Sequence, residues 1–216
     1  MKYLIMQLII PYVSDINLNS SGVALRESLR KFESHPIARV NWQVYPYTPA
    51  VVFKIAHNLD GIILQYQVNE RCFKACYTGI NEPVYKDSCV EFFISWDQEN
   101  YYNFEFNGIG TVLAGYGQSD KASRIFLPEV LIEAIETDAT IHGKKGDFTW
   151  DLFIHIPFNT FVYDQLETIK GKKCTGNFYK CGDDLPVPHF LSWNAIDAPE
   201  PNFHLPEFFG ELVFGE

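Results

Sequence analysis

Apolar and polar side chains alternate along most of this chain, and the alternation is that of strands. Residues 51–57 (VVFKIAH) and 61–68 (GIILQYQV) flank the turn-rich Asn58-Leu59-Asp60 and predict a hairpin. Residues 89–96 and 101–107, joined by Asp97-Gln98-Glu99-Asn100, predict a second. Further strands are predicted over 3–10, 71–77, 111–116, 132–141, 148–156, 175–181, 190–194 and 211–214, separated by Gly, Pro, Asn and Asp. Only residues 22–32 (GVALRESLRKF) depart from this rhythm, placing Val23, Leu25, Leu29 and Phe32 at near-helical spacing. Many short strands and one short N-terminal helix predict an all-β fold, an antiparallel two-sheet sandwich of jelly-roll or immunoglobulin-like type.

Within the second hairpin the two faces differ in chemistry. Val90, Phe92 and Ile94 face one side with Tyr102, Phe104 and Phe106, while Glu91, Phe93 and Ser95 face the other with Asn103, Glu105 and Asn107. Carboxylates and amides around an aromatic ring suit a sugar, whose hydroxyls take bidentate polar partners and whose C–H face lies on a flat ring. The same alternation equally describes the solvated side of an antiparallel sheet. Asp87, four residues before Glu91 at the strand entrance, reads as a loop-fixing residue.

Composition narrows the classes. A chain of 216 residues with 47% hydrophobic and 16% aromatic residues has ample material for one core, and residues 1–216 are taken as a single domain. The formal charge of -10 argues against nucleic acid, whose binding needs clustered cations, and favours a neutral ligand. Five cysteines cannot all pair, and Cys72-x3-Cys76 and Cys174-x6-Cys181 lack zinc-knuckle spacing, so reduced, buried thiols are expected. Asp60, Asp87, Asp97 and Glu99 sit in or near turns, where carboxylates can gather around a structural Ca2+, although no EF-hand spacing is present. No other cofactor is expected. The N-terminal MKYLIMQLIIPYVSD is a poor signal peptide, interrupted by Gln7 and ended by Pro11, so a cytoplasmic location is favoured over secretion. No run reaches the 18 or so apolar residues of a membrane span. There is no G-x-S-x-G elbow or P-loop, and His57, His142, His155 and His189 lie in strand or loop settings that suggest structural roles.

The segment Asp87-Ser88-Cys89-Val90-Glu91-Phe92-Phe93-Ile94 resembles the D-S-V-E-hydrophobic-F signature of carbohydrate-binding module family 9. Leu191-Ser192-Trp193 is similar to that family's S-W strand, and Phe203 to Leu212 to its closing aromatic followed by P-x-x-F-G-x-L. The resemblance covers roughly residues 40–214, with the helix as an addition, and is nearest to a stand-alone branch carrying a YYNFEFN-type strand, here residues 101–107. It implies a sandwich whose end carries a slot that clasps a terminal sugar between two aromatic rings, without catalysis. The first ring falls on Tyr85, the sugar-binding glutamate on Glu91 and the second ring on Phe203; a family arginine falls on or near Glu105 and a polar amide near Lys180. With Asn103 from the polar strand face, the expected ligand set is Tyr85, Glu91, Asn103, Glu105, Lys180 and Phe203. Tyr and Phe offer less stacking area than the family's tryptophans, and Glu in place of Arg changes the hydrogen-bond code. Two alternatives stay open at this level. One is haem binding, which similar sandwiches perform but for which this chain offers only Met1 and Met6 as Met ligands; the other is a glycan hydrolase using Glu91 and Glu105.

Overall fold

The structure, a computed structural model, describes residues 6–14 and 22–216. Residues 1–5, which hold the start of the first predicted strand and of the leader-like stretch, and residues 15–21 lie outside it. In chain order the elements are β1 (Gln7–Ile10), α1 (Gly22–Leu29), β2 (His35–Pro36), β3 (Arg39–Val40), β4 (Ala50–His57), β5 (Gly61–Glu70), β6 (Cys89–Ser95), β7 (Tyr101–Asn107), β8 (Val112–Gly117), β9 (Ile125–Phe126), α2 (Glu129–Glu133), β10 (Glu136–Lys144), β11 (Asp147–Pro157), β12 (Lys173–Cys181), β13 (Phe190–Ser192) and β14 (Gly210–Phe214).

These strands form the two sheets that the alternation predicts. The larger runs β1-β14-β12-β6-β7-β8-β9, with β13 pairing both β12 and β3; the smaller runs β10-β11-β5-β4-β2. All named pairs are antiparallel except β1 and β14, which are parallel. The inner faces meet in one core. Val90, Phe92, Ile94, Phe104 and Phe178 of the larger sheet pack against Phe53, Ile55, Leu64, Tyr66, Trp150 and Ile154 of the smaller, and the Phe53 and Phe178 rings stack at 3.8 Å between centroids. Burying each such side chain stabilises the fold by about 1.5–3 kcal/mol, so the inward parity sets which sheet faces meet.

Three local expectations change. Residues 71–77 form no strand, because their backbone is engaged by side chains at the entrance to β6: Cys76 and Tyr77 donate to Asp87 Oδ2, and Lys74 donates to Ser88 Oγ. The run at 132–141 splits into the end of α2 and the start of β10, with Ile132 and Ile135 both buried where the chain turns. The helix stops at Leu29 rather than Phe32; Leu29 is buried on the outer face of the smaller sheet with Ala56, Ile63 and Phe153, but Val23 is 77% exposed. The Leu25 side chain lies outside the description. Among the described residues no helix is long and apolar enough to cross a membrane.

Candidate functional site

The polar face of β6 and β7 is not solvated. Every residue of both strands is buried, because the outer face of the larger sheet is covered by loops. Trp42, Val84, Ile196, Phe203 and Phe209 pack there over Phe93, Tyr101, Leu113 and Tyr179. The cover is incomplete. A cavity of about 360 Å³ opens over the middle strands, with Glu91, Asn103, Glu105, Leu113, Gly115 and Cys181 contributed by the sheet. Its walls come from Tyr85, from Arg124 to Phe126, and from the segment holding Asn202, Phe203 and His204. The pocket therefore lies against a sheet face, not at the end of the sandwich as the resemblance implied, with loop residues and the edge strand β9 as its walls.

Five of the six expected ligand residues, Tyr85, Glu91, Asn103, Glu105 and Phe203, line this one cavity. Glu91 and Glu105 are direct cross-strand partners, which sets their Cβ atoms about 5 Å apart on the same face. The Cys181 thiol donates to Glu91 Oε1 at 3.0 Å. Burial pushes the thiol of Cys181 well up and that of Cys89, opposite it on β6, up to about 12, so both remain protonated and Cys181 serves Glu91 as a donor. Asn103 Nδ2 donates to Glu105 Oε1 at 3.0 Å, and its Oδ1 accepts from Arg124. A Cβ at 115 would stand 2.8 Å from Asn103 Oδ1 and 3.2 Å from Ile125 O, so a larger residue there would displace the Asn103 amide.

Tyr85 is half-buried at the pocket rim, and burial raises its hydroxyl above the ordinary tyrosine value. Phe203 is 8% exposed and stacks on Tyr179 at 4.2 Å with an interplanar angle of 9°, so at most one ring face remains for a ligand.

Lys180 is the exception, and its place in the expected ligand set is corrected. It shares strand parity with Phe178, so its side chain enters the core between the sheets. There its ammonium pairs with Glu70 at 3.0 Å and donates to Cys181 O at 2.8 Å and to His189 Nε2 at 2.9 Å. Glu70 Oε1 in turn accepts from Trp150 Nε1 at 2.7 Å. Counting parity along β12 from Phe178 would have placed Lys180 inside from sequence alone.

Arg124 is one site residue that sequence reasoning missed. Its guanidinium sits 4.0 Å from the centroid of the Tyr101 ring and donates to Tyr101 O, Gly117 O and Asn103 Oδ1. Burial holds it below the usual arginine value, while Tyr101 and Glu105 oppose that shift. A cation thus stands beside Glu105, brought from the loop before β9 rather than from the strand where the family arginine aligns. No local pattern marks it, because β9 is two residues long and the preceding loop has no periodicity. Asn202 and His204 were missed for the same reason; His204 Nδ1 hydrogen-bonds the Tyr101 hydroxyl at 2.9 Å.

Asp87 has the loop-fixing role expected of it. It is fully buried, and its Oδ2 accepts from Cys76 N, Tyr77 N and Asn107 Nδ2. Asp97 likewise closes its own turn by accepting from Glu99 N and Asn100 N. Among the described residues Asp60, Asp87, Asp97 and Glu99 do not gather into a metal-binding group; the cluster with metal-donor atoms close together is Cys89, Glu91 and Cys181. Of these three, Glu91 and Cys181 line the pocket, joined by the Cys181 Sγ to Glu91 Oε1 hydrogen bond.

Fold and site together define a two-sheet β-sandwich that presents a walled, polar and aromatic pocket on one sheet face. The chain belongs to carbohydrate-binding family 9, whose model matches residues 24–214. The match takes in all but the first two residues of α1, so the helix is less of an addition than expected. The chain is similar to a putative carbohydrate-binding protein from Bacteroides uniformis at 36% identity, with a TM-score of 0.90 over 96% of this chain and 98% of that one. Two solved structures of a family 9 module from Caldicellulosiruptor kristjanssonii, in complex with glucose and with cellotriose, share the fold. Their identities are 11% and 12% and their TM-scores 0.64 and 0.60, covering 98% and 97% of this chain and 97% and 94% of theirs. No curated protein matches the chain.

Proposed function

We propose that this protein binds carbohydrate without transforming it, holding a sugar over Glu91, Asn103 and Glu105 with Tyr85 and Phe203 as aromatic walls. The observation that carries this reading is the convergence of those five side chains on one open pocket. Membership of carbohydrate-binding family 9 supports it. Carboxylates and an amide can meet adjacent hydroxyls bidentately, and an aromatic wall suits the apolar face of a pyranose. The hydrolase alternative is less well served. Glycosidases set their two carboxyl groups on either side of the scissile bond, whereas Glu91 and Glu105 are neighbours on one sheet face and approach a ligand from the same side.

Titration calorimetry with glucose, xylose and their β-1,4 oligomers tests the reading. Glu91→Gln is expected to weaken binding about 10- to 100-fold, the worth of hydrogen bonds to a charged group. Tyr85→Ala is expected to weaken it about 2- to 10-fold through lost stacking. Absence of binding to all these sugars at millimolar concentration, or unchanged affinity in the Glu91→Gln protein, overturns the proposal.

A further inference from the structure

The pocket continues past the five residues that the proposed function uses. Phe126 lines it and is 60% exposed, an unusual state for a phenylalanine. It sits on β9, the last strand of the larger sheet, and its register partner on β8 is Gly115. Gly115 in turn pairs with Asn103 on β7, and Asn103 with Phe93 on β6. Residues directly opposite one another share a face, so Phe126 projects to the pocket side. Gly115 has no side chain of its own, and the Asn103 amide lies against it on the way to the ring.

Spacing decides what this ring can touch. Tyr85 sits beyond β6, its carbonyl accepting from Asp183 N just past the end of β12. Glu91 stands on β6 and Phe126 on β9, so three strand spacings, about 14 Å, separate their backbones. Both side chains rise from the same face, so a sugar residue hydrogen-bonded to Glu91 lies short of the Phe126 ring, and a longer ligand reaches it.

We propose that Phe126 forms a distal subsite that stacks a second or third sugar residue, so that the pocket takes an oligosaccharide running across β6, β7 and β8 toward β9. This rests on the carbohydrate-binding reading above and adds to it a ligand length and a direction. The sugar over Glu91 and Glu105 takes the charged hydrogen bonds; the residue over Gly115 and Phe126 gains mainly from the ring. Monosaccharide affinity then depends on Glu91 and Tyr85, and the gain with chain length depends on Phe126.

The test measures affinities for glucose, cellobiose and cellotriose, and in parallel for xylose, xylobiose and xylotriose, in the unmodified protein and in Phe126→Ala, Phe126→Leu and Phe126→Tyr. The unmodified protein is expected to bind a trisaccharide more tightly than the monosaccharide by about 3- to 10-fold, the worth of one stacking contact. Phe126→Ala and Phe126→Leu are expected to abolish that gain while leaving monosaccharide affinity within about twofold, and Phe126→Tyr to restore it. A length gain that survives Phe126→Ala, equal affinities across each series, or an equal loss for mono- and trisaccharide overturns the distal subsite while leaving sugar binding intact. No binding by any of the six sugars overturns both proposals.

Discussion

Substituting Lys180 with alanine is expected to cost about 3–5 kcal/mol of folding free energy, because it strands a buried carboxylate without its cation. The ammonium is fully enclosed between the sheets and faces Glu70, His189 and the Cys181 carbonyl within 2.8 to 3.0 Å. A domain's whole stability is of order 5–15 kcal/mol, so the loss should be plain in a urea unfolding curve. Replacing both ends together, Lys180→Met with Glu70→Gln, is expected to recover most of it, since apolar or neutral groups of similar volume do not need the missing charge and the amide oxygen can still accept from Trp150 Nε1. Sugar affinity of the folded double variant should stay within about twofold of the unmodified protein's, because the side chain never reaches the pocket. An affinity loss with unfolding unchanged would restore Lys180 to the ligand set.

The second large effect is acid lability. Burial holds the His189 imidazole down at about 3, with the Lys180 ammonium adding to the shift, and burial holds His57 at about 4. His189 is therefore neutral in the folded protein, donating from Nδ1 to Val187 O and accepting the Lys180 proton at Nε2. Both folded values lie below the unfolded value of about 6.5, so the unfolded chain binds protons first as the pH drops. Their contribution to stability is complete above about pH 6.5 and is lost progressively as the pH falls from there toward the folded values of about 3 and 4. At pH 5 each histidine is expected to cost about 2 kcal/mol, together lowering the thermal midpoint by about 10 °C relative to pH 7. Calorimetry at a series of pH values measures this, and His189→Gln should reduce the slope between pH 6.5 and 5. A midpoint flat over that range would mean that the imidazoles are not held neutral.

The sandwich was legible because strand parity is a local property. Val90, Phe92 and Ile94 opposite Tyr102, Phe104 and Phe106 point to the core whatever surrounds them, and all six are buried there. Alternation alone did not suffice where side chains capture the backbone. Residues 71–77 carry an alternating pattern, yet their amides bond to Asp87 and Ser88 side chains fourteen or fewer positions away, leaving no ladder to join.

By itself the sequence determined that the chain forms two sheets and the face on which Glu91, Asn103 and Glu105 stand together, while the family resemblance pointed to Tyr85, which lines the same pocket. Only the tertiary structure decided that this face is a walled pocket rather than a wet surface, for its walls come from loops folded over the sheet. It also decided that Arg124 stands beside Glu105 and that Phe126 lines the pocket, since β9 and the loop before it are carried to the site by β8, their neighbour at the edge of the sheet. Parity acts over two residues and can be read along a chain, whereas proximity between segments that are distant in sequence exists only once the core has closed and the loops have packed onto it.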